Sequence, residues 1–213
     1  MTTFAFPFTT CEEPDKNSWI MQPVSTAINL ISCIILYYYV ILSKSLQVKL
    51  LLSSFIAFQL WHAFSHAKHI DSLIQSNMAH ILLYVISILL FWTITFLLQK
   101  KLSVMMIILL FIAILFDMYI WLYVRGIWMI ISGLFILILI MGIHYPNFPK
   151  YFKTATIWLI LGTCILILVV YNEKKNCKKM MQLIKFPYHA FIEIIGLLLF
   201  TVLSHYLVRW DRA

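Results

Sequence analysis

The sequence predicts an all-α membrane protein, a seven-transmembrane helix bundle, and three observations carry that prediction. Hydrophobic residues make up 63% of the chain against 11% charged, with a mean hydropathy of +0.94, a composition that excludes a soluble globule. Apolar stretches long enough to cross a hydrocarbon core of about 30 Å at about 1.5 Å per residue follow one another in series. They are rich in leucine and isoleucine and lack the dyad alternation of barrel strands, so helices must satisfy the backbone in lipid.

In chain order, residues 1–18 form a short polar, acidic segment with no apolar core, so no cleavable signal peptide is expected there. The spans are then read as Trp19 to Leu42, Leu50 to Ile70, Ile81 to Leu98, Leu102 to Val124, Ile127 to Ile143, Ala155 to Tyr171 and about Phe186 to Val208. The second is unusual in closing on three histidines and a lysine. Short polar connectors such as Gln99-Lys100-Lys101 and Arg125-Gly126 leave neighbouring helices antiparallel. The longest connection, Asn172 to Lys185, carries most of the charge and is expected to be a loop with some helix. No internal repeat or long linker divides the chain, so residues 1–213 form one domain. The many Trp and Tyr residues, among them Trp19, Trp121, Tyr123 and Trp128, fit an aromatic belt at the membrane surface.

A formal net charge of +8 would suggest nucleic acid in a soluble protein. In a membrane chain it is read through topology instead, and no nucleic-acid partner is expected. The 16 Lys and Arg residues divide equally between the two sides, so the positive-inside rule gives no orientation. Cysteine gives one. Cys11 and Cys177 share the side of the N-terminus, whereas Cys33 and Cys164 lie within apolar runs. A Cys11 to Cys177 disulfide would make that face luminal or extracellular, because cytosolic thiols stay reduced; two unpaired loop cysteines are the alternative. The expected location is a multi-pass protein of an endomembrane, ER or Golgi, with a luminal N-terminus.

Histidines gather on that same face. His62, His66 and His69 close the second span, His80 opens the third and His189 opens the seventh, five of the seven in the chain. Intervals of four and three residues put His62, His66 and His69 on one helical face, with Ser65 beside them. Any one of them alone is simply explained as an interfacial histidine, but ionisable groups at membrane depth are costly and usually face a shared interior. In the seventh span His189 and Glu193 stand at i and i+4, able to point at one ion. An imidazole from span two would complete two histidines and a carboxylate, a ligand set suited to zinc with an open position. His144 and His205 fall on the opposite side and read as interfacial, and Asp117 is expected to pair with Arg125 or to face the cavity.

These residues resemble the alkaline ceramidases and the wider CREST superfamily of seven-span membrane hydrolases. Cys11-Glu12 followed by Thr26-Ala27-Ile28-Asn29 is similar to the family's Cys-Glu segment and asparagine-bearing first helix. Ser65 and His69 match its serine and zinc-binding histidine four residues apart, and His80 stands eleven residues on, where the family has an aspartate. His189 matches the first member of a His-x-x-x-His pair whose second member is replaced by Glu193. Trp61-His62 resembles the Phe-His of receptor-like members, which leaves His62 or His66 as alternative ligands to His69. The resemblance also implies a calcium site near the N-terminus, for which Glu12, Asp15 and Asn17 are oxygen donors and Gln22 stands where the family has a glutamate; a solvated acidic terminus is the alternative.

The expected function is a zinc-dependent intramembrane amidase or related hydrolase acting on a membrane lipid, ceramide-like in kind. Zinc held by His69, His189 and Glu193 would polarise the amide carbonyl, Ser65 would stabilise the oxyanion and His80 would carry a proton. Two alternatives remain open from the residues: a histidine-box di-iron lipid oxidase, and a non-enzymatic seven-span receptor or transporter with a structural metal.

Overall fold

The computed structural model describes residue 12 and residues 17–68, 72–101, 103–124, 127–184 and 187–213. Among the described residues the elements are all helical: α1 (Pro23–Leu42), α2 (Leu46–Lys68), α3 (Ser72–Leu97), α4 (Val104–Tyr119), α5 (Ile127–His144), α6 (Lys150–Ile184) and α7 (His189–Arg212). A π turn, Ile120–Val124, extends α4, and a short 3-10 turn, Tyr145–Asn147, follows α5. Among the described residues six segments are long and apolar enough to cross a membrane, and the helical stretch Ile131–Asn147 is a shorter apolar one.

The helix ends follow from local chemistry. Pro23 occupies the first turn of α1, where its missing N–H costs nothing and its fixed φ suits a helix start. The backbone turns extended at Ser43, and α2 begins three residues later. Asp211, near the end of α7, accepts hydrogen bonds from the amides of Lys44 (2.6 Å) and Ser45 (3.0 Å). That carboxylate ties the end of α7 to the α1–α2 connection. After α3 the chain reverses through Gln99 at φ 54°, a left-handed conformation that few non-glycine residues adopt.

Helices next to one another in sequence pack together, α1 on α2, α2 on α3, α4 on α5 and α6 on α7, while α7 also packs on α1 and α2. The core includes Leu36, Leu51, Leu52, Phe55, Leu90, Ile94, Ile136, Ile140, Phe152 and Leu207. Polar residues are turned inward as well. The buried stripe of α1 is Ser25, Thr26, Asn29, Ser32, Cys33 and Leu36, whereas Ile34, Tyr37, Tyr38 and Ile41 of the same helix face outward. Many of the buried hydroxyls are satisfied within their own helix: Ser87 donates to Leu83, Thr95 to Phe91 and Thr156 to Phe152, each to the carbonyl four residues back.

Several boundaries differ from the sequence-based reading by a few residues, and two larger departures matter to the site. Helix α3 starts at Ser72 instead of Ile81, so His80 lies two turns inside a helix. Helix α6 runs on to Ile184, across the segment read as a charged loop, with non-helical backbone at Asn176 (φ −127°, ψ 18°). Hydropathy marks only the apolar part of a helix, and here both helices continue through polar sequence.

Candidate functional site

The end of α2, the start of α7 and the last part of α6 meet at one end of the bundle. His66 and Glu193 are joined there, Nε2 to Oε1, at 3.1 Å, and His189 Nε2 reaches the same Glu193 oxygen at 3.1 Å. The two imidazole rings are tilted, with centroids 5.1 Å apart. His66, His189 and Glu193 each offer one ligand atom, all within 4.8 Å of one another, and could hold a metal ion.

Each imidazole is fixed from behind. Gln22 Oε1, at the start of α1, stands 2.8 Å from His66 Nδ1, and both Glu173 oxygens lie against His189 Nδ1, at 2.9 and 3.1 Å. The Gln22 amide nitrogen donates to the Glu12 carbonyl at 2.7 Å, so its oxygen is the atom that faces His66. An oxygen acceptor on Nδ1 requires the proton on Nδ1, which leaves Nε2 of both rings turned toward Glu193.

That donor set is of a kind that could hold a metal ion. Two imidazole nitrogens and a carboxylate oxygen form a common zinc ligand combination, and the second nitrogen of a ligating histidine is usually held by a carboxylate or carbonyl, as Nδ1 is here. Bonds of about 2.0–2.1 Å to a tetrahedral centre separate ligand atoms by roughly 3.3 Å. The two pairs through Glu193, at 3.1 Å, are close to that spacing, and the three ligand atoms together lie within 4.8 Å of one another, so a bound ion would draw the two imidazoles closer.

Beside the cluster lies a largely apolar cavity of about 240 Å³, enclosed by α2, α3, α5, α6 and α7. Glu193, His62 and His80 line it together with Gln59, and the remaining wall is mostly Leu, Ile and Phe. Along α3 the lining runs from Ala79 and His80 to Leu90, a length of roughly 15 Å at about 1.5 Å per residue.

The histidines of span two therefore separate. His66 belongs to the cluster; His62 lines the cavity and has its Nδ1 3.0 Å from the Phe58 carbonyl. His69 lies outside the described residues. Ser65 is buried and donates to the Trp61 carbonyl at 2.7 Å, and it is not among the cavity-lining residues. His80 is stacked on Trp121 of the π turn, with ring centroids 5.1 Å apart and planes 6° apart. Asp117 is buried and accepts from Tyr84 (2.8 Å) and Ser132 (2.5 Å), while Arg125 lies outside the described residues.

Of the residues considered for calcium, Asp15 lies outside the described residues and Asn17 is exposed. Glu12 is buried, and its carboxylate accepts from the Val24 and Ser25 amides and the Ser25 hydroxyl, at 2.8, 3.0 and 2.5 Å. Cys177 is disulfide-bonded, Cys33 and Cys164 are free thiols, and Cys11 lies outside the described residues.

Glu173 and the contact of Gln22 with His66 are absent from the sequence-based reading. Glu173 sits in the segment read as a charged loop, and only the continuation of α6 brings it to His189. Compared with models of protein families, with curated proteins and with solved structures, the chain matches none.

Proposed function

We propose that the chain is a seven-span, zinc-dependent membrane hydrolase that cleaves a lipid amide, ceramide-like in kind. The observation that carries this reading is the convergence of His66, His189 and Glu193, oriented by Gln22 and Glu173, at the wall of an elongated apolar cavity. A cavity of about 240 Å³ exceeds the roughly 150 Å³ at which an apolar engineered cavity already accepts benzene, so an aliphatic chain is a reasonable occupant. Its lining includes Glu193, His62, His80 and Gln59 in an otherwise mostly apolar wall, which suits a substrate with a polar group and a long tail.

Zinc held by His66, His189 and Glu193 would supply Lewis acidity toward a carbonyl and acidify water. The residues of the chain do the rest. Leu83, Ile86, Leu90, Leu137 and Phe200 hold the tail and exclude water. His66 and His189, with Nδ1 fixed as donors, keep their Nε2 lone pairs inward. His62 and His80 line the cavity with Glu193 and are the proton-handling and oxyanion-binding groups of this reading. Ser65, whose hydroxyl is given to Trp61, has no part in it.

With His66 as ligand, the resemblance to alkaline ceramidases shifts its register. His62 then takes the position four residues before the ligand, where the family has serine, and Asn77 takes the position eleven after. A membrane surrounding is supported by the outward apolar residues Ile34 (71% exposed), Val104 (72%) and Leu168 (66%), together with the polar residues buried inside, such as Ser25, Asn29 and Asp117. The bonded Cys177, four residues from Glu173 on α6, supports a luminal site face in an endomembrane.

The test is metal analysis of detergent-purified protein joined to a turnover screen over lipid amides. One zinc per chain with fatty-acid release is expected. Two irons would favour the oxidase, and a metal whose removal leaves lipid binding intact without turnover would favour a receptor or transporter. The described cluster converges on one position, which favours the mononuclear reading.

A further inference from the structure

We propose that the end of the bundle away from the His/Glu cluster is a docking surface for anionic lipid headgroups, so that the chain gathers negatively charged phospholipids in the leaflet on that side. The inference rests on the membrane setting of the chain and is independent of the metal centre.

Four segments build that end: 43–49 from the close of α1 into the first turn of α2, 98–103 between α3 and α4, 145–153 from the 3-10 turn into α6, and 205–213 at the end of α7. Packing joins them. Thr93, near the end of α3, donates to the Gln47 carbonyl at 3.3 Å, the Asp211 carboxylate accepts from the Lys44 and Ser45 amides, and the Trp210 ring meets those of Phe148 and Phe152 at centroid distances of 5.7 and 4.9 Å. Each segment carries two basic residues, together eight of the chain's 16 Lys and Arg, yet Asp211 is the sole member there of its 8 Asp and Glu. Nearly all of the formal net charge of +8 is therefore concentrated at this end.

That charge is not consumed inside the protein. Backbone amides engage the Asp211 carboxylate, and among the described residues the ion pairs join His66 and His189 to Glu173 and Glu193 at the other end. Lys44 Nζ donates to the Arg212 carbonyl at 3.1 Å, which sets basic residues of the α1–α2 connection and of α7 side by side. The Arg209 guanidinium lies over the Tyr151 ring, 4.6 Å from its centroid, and Lys153 Nζ lies over the Tyr145 ring at 5.7 Å. A ring face holds a cation without using its N–H donors, so those donors remain for phosphate oxygens. Arg209 is the stronger anchor, since its planar fork matches two such oxygens at once.

Depth decides the occupant. The basic residues stand where the outward apolar surface ends: Lys44 precedes exposed Leu46, Lys101 precedes exposed Val104, and Lys153 precedes exposed Ile157, each by a turn or less of chain. Lipid phosphates lie at that level, where tyrosines also gather, as Tyr151 and Tyr206 do here with stacked rings. A soluble acidic protein would meet only the outermost of these charges, whereas headgroups surround the whole end. Anionic lipids concentrate in the cytoplasmic leaflet, and the disulfide-bonded Cys177 belongs to the opposite end of the bundle, so the two assignments agree.

Native mass spectrometry of the full-length chain, released from nanodiscs of equal phosphatidylcholine and phosphatidylserine, reads which lipid stays bound. Phosphatidylserine should be retained in preference, by about fivefold for each basic residue engaged, and the preference should fall as ionic strength before release is raised. Arg209→Gln combined with Lys153→Gln should lower the preference by about fivefold or more, while Arg209→Lys should keep most of it. Lys175→Gln combined with Lys179→Gln removes equal charge at the site end, where Lys175 Nζ lies 5.9 Å from the Tyr171 ring centroid, and should leave the preference unchanged. Equal retention of the two lipids by the wild type, a preference unmoved by salt, no loss in the Arg209/Lys153 variant, or an equal loss in the Lys175/Lys179 variant would overturn the docking surface. None of these readouts involves zinc, so the surface and the metal centre are tested separately.

Discussion

Replacing Glu173 by Gln isolates the charge that backs His189. The amide keeps an acceptor oxygen for Nδ1, so the hydrogen bond survives and only the negative charge is lost. An ion bonded to Nε2 at about 2.1 Å would stand roughly 7 Å from the Glu173 oxygens, adding the imidazole and the hydrogen bond to the bond length. At an effective dielectric of about 20, a divalent cation and a carboxylate at that range attract by about 5 kcal/mol. Keeping a buried carboxylate charged costs part of this, and outer-sphere replacements at histidine–metal sites cost about 10–100-fold in affinity, or about 1.4–2.7 kcal/mol. The expected result is a 10–100-fold rise in the zinc dissociation constant, read by chelator competition on purified protein. Glu173→Ala should cost more, since it also leaves Nδ1 without its acceptor. If Glu173→Gln bound zinc as tightly as the wild type, Glu173 would be a structural partner of His189 with no electrostatic share in a metal centre.

Glu193→Gln should lower zinc stoichiometry and turnover together while leaving the helical content unchanged, whereas Glu193→His should keep zinc; full occupancy in the glutamine variant, measured by elemental analysis, would remove Glu193 from the ligand set. Gly133→Val should narrow the cavity, because even a Cβ there meets Leu83 Cδ2 at 2.5 Å and Leu83 lines the cavity. Long-tailed substrates should then turn over more slowly at unchanged zinc content, and equal turnover of long and short tails would count against the cavity as the tail site. Cys177 should resist alkylation until the protein is reduced, and labelling of unreduced, folded protein would contradict the bond.

The helices were legible in the sequence because length and hydropathy are properties of contiguous residues. What hydropathy marks is the apolar stretch, however, and a helix stops only where its backbone or caps stop it. Asn172 to Lys185 looked like a loop because of its charge, yet lysine and glutamate are good helix formers and α6 continues through them. That continuation puts Glu173 behind His189. Periodicity also placed His62, His66 and His69 on one face, but a shared face does not say which residue meets another helix. Rotation of α2 against α7 decides it, and that rotation depends on packing across the bundle.

The outer partners were the least legible part, for a physical reason. A cluster of ionisable residues announces itself through residue types that are rare and costly at membrane depth, so the histidines of span two, His189 and Glu193 stand out against an apolar chain, without the sequence saying which of the three span-two histidines joins the cluster. Gln22 and Glu12 carry no such signal, because a polar residue ahead of a first helix is ordinary and its partner is a histidine 44 residues away. Their importance appears only when hydrogen-bond roles are followed atom by atom. The Glu12 carbonyl can only accept, so the Gln22 nitrogen must face it; the Gln22 oxygen must then face His66, and Nδ1 must carry the proton. Each step is forced by the one before. The chain of constraints ends with a proton on His66 Nδ1, while Nε2 faces the Glu193 carboxylate at 3.1 Å, so one nitrogen of His66 is oriented by a backbone carbonyl in a segment outside the cluster.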